Sequence, residues 1–332
     1  MEFEKIPTVP TADEVLDRCF RRAAAKMKLK SNKDRANQDF VRAVSHSIHD
    51  RLVHVIQSFP DFDTIPPFYR ETVDILYGLP RLRKALGAVG WAARWSRLHG
   101  PDLVYETRRG GDPLASRKRA VARLASVVHQ IDTELRFLND VRNTIRKLPH
   151  VEDVFTVVIA GYPNVGKSSF IGIVSTADPE VASYPFTTKG VIVGHRIEGR
   201  KRMQFIDTPG ILDRLPEHRN PVEKQAMAAV THIADVILFI LDPSGHCGFP
   251  LEEQLNLYRE IESHVNVPVY AVANKSDIST LEGYPSMSTS NNSGIDEVLA
   301  GLQQYWREPG TRTIQSEADC VPDEEPEYRP SI

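Results

Sequence analysis

Residues 155–170 constrain the fold more than any other stretch of the chain, because they read FTVVIAGYPNVGKSSF. The β-branched run at 157–159 is typical of a strand buried on both faces. Residues 161–168 fit the pattern G-x-x-x-x-G-K-[ST], a loop between a strand and a helix whose N–H groups surround phosphate oxygens. The stretch therefore predicts a phosphate-binding α/β fold. The alternative is a glycine-rich turn that binds nothing, and the further motifs below argue against it.

The residue types of this loop match the chemistry of a nucleoside triphosphate. Gly161 and Gly166 allow a tight backbone turn, and the following helix adds the positive end of its dipole. Lys167 can reach the β- and γ-phosphates, and Ser168 can ligate Mg²⁺. The residues predicted to contact nucleotide here are Gly161, Tyr162, Pro163, Asn164, Val165, Gly166, Lys167, Ser168 and Ser169.

A second motif, Asp207-Thr-Pro-Gly210, follows the apolar segment 203–206. At the end of a strand this carboxylate can hold Mg²⁺, while the Gly210 N–H can reach a γ-phosphate. The segment YPFTTK before it contains Thr187 and Thr188, which can supply a switch hydroxyl to Mg²⁺. The residues predicted to act on the reacting phosphates are Asn164, Lys167, Thr188 and Gly210.

A third motif, Asn274-Lys-Ser-Asp277, follows the apolar segment 269–272. The Asp277 carboxylate offers two acceptors to the N1–H and N2–H₂ groups of guanine, whereas adenine has no such pair of donors. Lys275 can lie along the base, and Asn274 can tie this loop to the phosphate loop. Backbone N–H groups that can reach the guanine O6 belong to Ser288, Thr289 and Ser290. The motifs together predict a GTP-binding domain.

From residue 154 onward, strands and helices alternate, as in a parallel sheet covered on both faces. Strands are expected at 155–160, 190–197, 202–207, 235–241, 268–273 and 285–288, and helices at 167–174, 222–233, 251–264 and 294–306. The predicted fold class is a P-loop GTPase domain of the α/β class at 151–308, with a mostly parallel sheet. An N-terminal helical bundle at 1–150 precedes it, and an acidic mobile tail at 309–332 follows it.

The first 150 residues show helical patterns. Thr11-Ala-Asp-Glu14 has the form of a capping box. Expected helices run from this box to about residue 30 and then cover 34–58, 69–77 and 82–98, with loops at 100–101 and 110–111. Apolar residues spaced by three and four from Val121 to Leu148 predict a final helix of about 30 residues.

The two halves differ in charge. Residues 1–150 hold 27 Lys and Arg against 18 Asp and Glu (+9), and residues 151–332 hold 14 against 26 (−12), which gives −3 in total. A basic half indicates a polyanionic partner, although two ordinarily solvated surfaces would give the same balance. The candidate RNA-binding residues are Arg18, Arg22, Lys26 and Lys30 in one stripe, and Arg117, Lys118, Arg119 and Arg123 at the start of the final helix.

Composition restricts the cellular setting. No run of about 18 apolar residues occurs, so no membrane span is expected. The first ten residues lack the basic and apolar regions of a secretory signal. Cys19, Cys247 and Cys320 are far apart and fit reduced thiols. A cytoplasmic location is therefore expected.

Three segments, GYPNVGKSS, YPFTTK and DTPGILD, resemble the Obg-related branch of the translation-factor-like GTPases. RKLP at 146–149, RNPVEKQA at 219–226 and LDPSGHCG at 241–248 are similar to the nucleolar GTP-binding protein family within that branch, in its short archaeal-type form. The resemblance covers residues 10 to 307. Thr289 departs from the usual Ala, and only ten residues separate Asp277 from Ser288. No counterpart of the long C-terminal extension of eukaryotic members is expected.

This resemblance implies a GTPase that acts on the precursor of the large ribosomal subunit and its rRNA. From the motif residues Mg²⁺ is the expected cofactor, and the protein is expected to be monomeric off the ribosome. In related GTPases an Asn at the position of Asn164 helps to hold K⁺; the alternative is a residue that only shapes the loop. Ile211 stands where many regulatory GTPases have a water-orienting Gln, so hydrolysis should be slow. A docking scaffold with structural GTP is the second functional hypothesis, and a P-loop ATPase or kinase is opposed by the Asn-Lys-x-Asp motif.

Overall fold

The computed structural model describes residues 3–27, 33–109, 111–186, 190–207, 209–210, 212 and 230–306. The helical half begins with a 3₁₀ turn at Phe3–Lys5. The α-helices described before the first strand are α1 (Ala12–Met27), α2 (Lys33–Ser58), α3 (Pro67–Tyr77), α4 (Leu79–Arg109), α5 (Pro113–Gln130) and α6 (Asp132–Ile145).

The predicted capping box is confirmed at the start of α1. The Thr11 hydroxyl accepts the Glu14 N–H at 3.4 Å, and the Glu14 carboxylate accepts the Thr11 N–H at 3.0 Å. Asp132 adds a third contact from a distant part of the chain, because its carboxylate accepts the Ala12 N–H at 2.8 Å. This N–H, and then Arg136, hold the pKa of Asp132 below its ordinary value.

The prediction of one long final helix is wrong. The backbone leaves the helical conformation at Ile131, with φ −105° and ψ 11°, and separates α5 from α6. The break places Asp132 where it caps α1, a tertiary interaction that local periodicity does not report. The predicted apolar seam is nevertheless buried along both helices, for example at Leu124 and Leu135.

The predicted loop at Gly100-Pro101 is also wrong, because α4 continues through it. Ser45 of α2 packs against this turn and donates its hydroxyl to the Ser96 carbonyl at 2.7 Å. A Cβ on Gly100 would lie 2.1 Å from the Ser45 Oγ and 3.0 Å from its Cβ. The glycine is therefore a close-approach residue between two helices.

The second half contains a six-stranded, mostly parallel sheet. Its strands are β1 (Phe155–Ala160), β2 (Glu180–Ala182), β3 (Val191–Glu198), β4 (Lys201–Asp207), β5 (Val236–Leu241) and β6 (Val269–Ala273), in the spatial order β2-β3-β4-β1-β5-β6. Strand β1 is parallel to β4 and β5, and β5 to β6, whereas β3 is antiparallel to β2 and β4. The described helices of this half are α7 (Lys167–Val174), α8 (Leu251–His264) and α9 (Ile295–Gln303).

Two strand predictions differ from the structure. The strand expected at 285–288 is reduced to an isolated bridge between Ala273 and Ser286. Edge strand β2 was not predicted, because three residues give no measurable alternation. The expected helix 222–233 lies mostly outside the described residues, as does the whole of the 309–332 tail. All of the parallel strands end at one edge of the sheet, where an α/β ligand site is expected.

Gly100→Ala should lower the free energy of unfolding by about 1–3 kcal/mol, because the added methyl group overpacks the contact with Ser45. Gly87→Ala is the matched control, since Gly87 is exposed on the same helix and a Cβ there meets nothing within 4 Å. This control should be neutral or stabilising by up to about 1 kcal/mol. Urea denaturation followed by circular dichroism measures both. Equal stability of the two variants would contradict the close approach.

Candidate nucleotide-binding site

The phosphate loop follows β1, the strand that lies between β4 and β5 at the centre of the sheet. Gly161 has a φ of 132°, and a Cβ there would lie 2.5 Å from the Ile240 carbonyl oxygen. Gly166 has a φ of 109°, and its Cβ would lie 2.2 Å from the Asn274 Nδ2. Both glycines are therefore required by space as well as by backbone conformation.

Lys167 is the first residue of α7 and its side chain is buried under the loop. Its ammonium group donates to the Gly161 carbonyl at 2.8 Å and to the Tyr162 carbonyl at 3.0 Å. Because these acceptors are neutral, charged phosphate oxygens would bind the ammonium group more strongly. The Tyr162 ring packs on Phe249, with centroids 4.3 Å apart, and fixes one wall of the loop.

The two predicted Mg²⁺ ligands of the described chain lie side by side. The Ser168 hydroxyl donates to the Asp207 carboxylate at 2.9 Å. Asp207 is the buried last residue of β4 and is the ladder partner of Ile159 in β1. Mg²⁺ takes oxygen ligands at about 2.0–2.1 Å in an octahedron, so that neighbouring ligands are about 2.9 Å apart. The observed spacing fits this ion.

Asn274 connects the phosphate loop to the guanine-type loop, as the sequence predicted. Its Nδ2 donates to the Val165 carbonyl at 2.7 Å and to the Thr289 hydroxyl at 3.1 Å. Its Oδ1 accepts the Thr289 N–H at 3.0 Å. One buried carboxamide thus fixes the spacing of three loops, and Thr289 contributes its hydroxyl where Ala would leave Asn274 with one partner fewer.

Asp277 is exposed, and Ser288 orients it by donating a hydroxyl hydrogen bond of 2.5 Å to the Asp277 carboxylate. The backbone N–H groups expected at O6 all have partners within the protein. The Ser288 N–H donates to Ser293, that of Thr289 to Asn274, and that of Ser290 to the Ser288 hydroxyl at 3.2 Å. Contact with O6 therefore requires one of these bonds to exchange, and the Ser290 bond is the longest.

Sequence reasoning missed Asp242, the residue after β5. Its fully buried carboxylate accepts the Lys275 ammonium at 2.6 Å, the Ser244 N–H at 3.0 Å and the Cys247 N–H at 2.7 Å. Lys275 has a φ of 59°, a left-handed conformation that an L-residue adopts at a cost of roughly 1–2 kcal/mol. The ion pair offsets that strain and fixes the lysine side chain within the loop predicted to hold the base.

Gln254 of α8 holds the Asp242 loop in place and was also missed. Its Oε1 accepts the Asp242 N–H at 2.7 Å, and its Nε2 donates to the Asp242 carbonyl at 3.1 Å and the Phe249 carbonyl at 2.9 Å. A carboxylate directly after an apolar strand, as at Asp207, was the signal that could have revealed Asp242. Nothing local distinguishes Gln254.

The predicted switch residues lie partly outside the residues that the structure describes. Thr187, Thr188 and Ile211 lie outside the described residues, so their roles stay predictions. Gly210 has a φ of 91°, which favours glycine. The Gly161 N–H donates to the Leu212 carbonyl at 3.2 Å, so the chain that follows Asp207 touches the phosphate loop.

Helix α3 of the helical half contacts the segment just before the predicted switch threonines. The Tyr184 ring stacks on Phe68 with centroids 5.6 Å apart, and its hydroxyl lies 3.4 Å from the Thr72 hydroxyl. Burial raises the pKa of Tyr184 well above its ordinary value. On the next face of α3, Glu71 lies 2.8 Å from the His232 Nδ1. The aromatic Tyr-Pro-Phe beside the threonines was the available sequence signal.

The candidate RNA-binding cations differ in their surroundings. Arg18, Arg22 and Lys118 are exposed, whereas Lys30 and the side chain of Lys26 lie outside the described part. Arg119 is exposed and donates to the Ser116 hydroxyl at 3.1 Å, and Arg123 is paired with Glu106 at 3.1 Å. Arg117 instead bonds Asn37 at 2.9 Å and stacks over Phe40, which gives it a structural role between α2 and α5.

The fold and site define a P-loop GTPase domain joined to a helical domain. Residues 3–152 match the family model of the NOG1 N-terminal helical domain, and residues 221–277 match that of nucleolar GTP-binding protein 1. This chain belongs to the nucleolar GTP-binding protein 1 family. Among the helices that the structure describes, none is both long and apolar enough to cross a membrane.

Relatives extend over most of the chain. An uncharacterized protein of Methanocaldococcus jannaschii is 38% identical over 83% of this chain and 81% of its own. Nucleolar GTP-binding protein 1 of Drosophila melanogaster is 34% identical over 95% of this chain, which spans about half (51%) of that relative. A crystal structure of a Plasmodium falciparum protein bearing the same family name is 34% identical, with a TM-score of 0.43, over 48% of this chain and 89% of its own.

Asp242→Asn should destabilise the protein at neutral pH by roughly 1–3 kcal/mol, because Lys275 loses its buried ionic partner. Burial acts to raise the pKa of Asp242, but hydrogen bonds from Lys275, Ser244 and Cys247 outweigh it and hold the pKa below the ordinary value. A lowered folded-state pKa gives stability that is present above the ordinary Asp pKa and is lost as pH falls through the folded value.

The difference in the free energy of unfolding between Asp242→Asn and the wild type should therefore narrow as pH falls towards the acid limit of the folded protein. Urea denaturation across that range measures it. Glu282→Gln, at an exposed turn, is the control and should show little difference at any pH. If the difference in the free energy of unfolding between Asp242→Asn and the wild type stays constant with pH, the ion pair is contradicted.

Proposed function

We propose that this protein hydrolyses GTP to GDP and phosphate as a switch in the assembly of the large ribosomal subunit, with its basic helical domain docked on precursor rRNA. The observation that carries the nucleotide assignment is the Asn274 carboxamide, which fixes the guanine-type loop to the phosphate loop. The names of the nucleolar relatives and the basic balance of residues 1–150 support the ribosomal part. We also propose that it works in the cytoplasm as a monomer when off the ribosome.

Each group has a distinct task in this proposal. Lys167 exchanges two carbonyl partners for phosphate oxygens, and Asp277, oriented by Ser288, selects guanine. Ser168 and Asp207 hold Mg²⁺, with Thr188 as the expected third protein ligand. When bound, the ion neutralises charge that develops on the phosphates. Catalysis then depends mainly on positioning and electrostatics.

The side chain at position 211 cannot activate the attacking water, because Ile211 is apolar. A partner, a bound cation, backbone groups or a retracted Ile211 must supply it. Asn164 is exposed in the phosphate loop with a φ of 64°. Asn adopts this conformation more readily than most residues, which favours loop shaping; the exposed carboxamide oxygen is equally suited to K⁺. We propose K⁺ as the bound cation.

Helix α3 supplies the route from nucleotide to RNA-binding surface. It touches Tyr184, three residues before Thr187, and His232, beyond the segment that follows Asp207. A switch segment that closes on a γ-phosphate would change both contacts. In this proposal GTP strengthens binding to the large-subunit precursor by moving α3.

The alternative is a docking scaffold in which GTP is structural. The side-by-side Mg²⁺ ligands Ser168 and Asp207 favour the enzyme. Single-turnover hydrolysis with and without precursor large subunits separates the two. We expect slow hydrolysis that the particle accelerates; a rate indistinguishable from that of free GTP in both conditions would favour the scaffold.

Asp277→Asn should weaken GTP binding at least tenfold and shift preference towards xanthosine triphosphate, because the new amide can donate to the xanthine O2. Competition against a fluorescent guanine nucleotide measures both affinities. Asp296→Asn, on α9 in the same half, is the control and should leave GTP affinity unchanged. Wild-type protein that binds ATP and GTP within a few-fold of each other would refute the guanine assignment.

Replacing K⁺ by Na⁺ at constant ionic strength should lower the hydrolysis rate several-fold. Asn164→Gly keeps the left-handed backbone and removes the carboxamide, so it should lose this dependence and retain GTP binding. Steady-state phosphate release in the two salts measures the effect. If wild-type rates are equal in both salts, Asn164 only shapes the loop.

Phe68→Leu should uncouple the two domains, because it removes the ring stacked on Tyr184 and keeps most of the apolar volume. Co-sedimentation with precursor large subunits should lose its dependence on GTP analogue against GDP, while GTP affinity stays within about threefold. Phe62→Leu, a buried ring of the same domain, is the control and should preserve the dependence. Preserved coupling in Phe68→Leu would exclude α3 as the route.

A further inference from the structure

A cationic cleft of about 340 Å³ lies on the helical domain, far from the phosphate loop in sequence. Its walls are the N-terminal segment 7–10, α1 and α2. An adjoining hollow of about 320 Å³ shares Arg22, Ser47 and Asp50 with it. The nucleotide-binding site uses none of these residues, whereas Arg18 and Arg22 are two of the candidate RNA-binding residues.

Arginine side chains dominate the cleft. Arg18 and Arg22 of α1 are one turn apart, and Arg51 and His54 of α2 face the same space. The carboxylate that lines the cleft is Asp50, and in the adjoining hollow Asp39 is already paired with Arg42 at 2.8 Å. Within the described part of the chain, Arg18, Arg22 and Arg51 form no ion pair within 4 Å. Among the described residues, three guanidinium groups thus share one opening with a single carboxylate.

Two buried donors without partners line the same cleft. Ser47 is 4% exposed, and its hydroxyl has no hydrogen-bond partner among the described residues. The Nε of Arg51 is also buried and also has no hydrogen-bond partner among them. Their polar neighbour is the buried thiol of Cys19, which is only a weak acceptor. Buried donors are normally satisfied. Both donors keep unused hydrogen-bonding capacity, which suits a ligand with acceptor oxygens.

The chemistry of the lining selects the class of ligand. Guanidinium groups bind phosphate oxygens in a planar, bidentate manner, and a hydroxyl donor completes such a site. The cleft is open and longer than one phosphate group needs, because Arg18 and Arg22 alone are separated by about 6 Å along α1. An extended polyanion fits this shape better than a single small anion. The surrounding domain carries a balance of +9, which favours a nucleic acid over a short acidic peptide.

We propose that the cleft between the N-terminal segment, α1 and α2 seats phosphate groups of an RNA backbone through Arg18, Arg22, Arg51 and Ser47. This inference rests on the proposed function in taking RNA as the partner. It adds a built binding cleft to what would otherwise be a diffuse basic surface. Sequence is not read there, because phosphate contacts position an RNA and do not identify bases.

The test uses the full chain saturated with GDP and Mg²⁺, so that the phosphate loop is occupied. The probe is an RNA hairpin with about 16 base pairs, the span of a typical double-stranded RNA-binding domain. Arg18→Gln with Arg22→Gln removes two cleft cations that are exposed, so the fold should survive, as thermal melting will verify. Arg94→Gln with Arg97→Gln removes the same charge from an exposed part of α4 and is the matched control.

The cleft pair should weaken RNA binding at least tenfold and lower the log–log salt slope by about 1.4–1.8, from two lost phosphate contacts. The control should weaken binding less than threefold. Inorganic phosphate should compete with RNA more strongly than chloride at equal ionic strength, and only the cleft pair should abolish that difference. The single variant Arg22→Gln should show a smaller change in the same direction.

Wild-type RNA binding that both pairs weaken equally would overturn the cleft and leave the proposed function standing. Wild-type protein that binds neither this hairpin nor precursor large subunits would overturn both. Phosphate binding that depends on the cleft, without RNA binding, would overturn the RNA assignment. Polyglutamate and a second RNA are compared as competitors for the bound RNA. If polyglutamate displaces the RNA at a lower concentration of negative charge, the partner is an acidic protein instead.

Discussion

The Tyr69 hydroxyl on α3 donates to the Pro149 carbonyl at 2.9 Å and accepts the Val151 N–H at 2.8 Å. These bonds hold the connection between the helical domain and the sheet, and burial raises the pKa of Tyr69 to about 12. With the connection fixed, Phe68 on the same helix meets Tyr184 and Glu71 meets His232. One short helix therefore contacts the linker, Tyr184 before the predicted switch threonines and His232 before β5.

The loops of the candidate nucleotide site are likewise joined by buried polar side chains. Asn274 joins the base loop to the phosphate loop. Lys275 of the base loop pairs with Asp242 of the loop after β5, and Gln254 fixes that loop to α8. Breaking one such bond leaves a buried donor or acceptor unsatisfied, at about 1–3 kcal/mol. We propose that the predicted switch segments, rather than these loops, respond to nucleotide.

The sequence was most informative where local chemistry decides the structure. Strand β1 and helix α7 have the predicted bounds, and Asn274 makes the predicted tie. Predictions failed where distant contacts override local signals, as at Gly100, which packs against Ser45, and at Ile131, where the helix breaks so that Asp132 can cap α1. The sequence predicted that Lys275 lies along the base. It did not predict the ion pair with Asp242, because the two residues are 33 positions apart and no local pattern links them.

We propose that α3 transmits the nucleotide state to the helical domain, and hydrogen–deuterium exchange of the wild-type chain can detect this. Exchange is compared between the GDP form and a form bound to a non-hydrolysable GTP analogue. We expect the analogue to alter exchange in peptides covering Tyr184 and also in α3, residues Pro67–Tyr77, with smaller changes in α4 and α6, which pack on α3. Changes confined to residues 155–306, with α3 identical in the two forms, would contradict it.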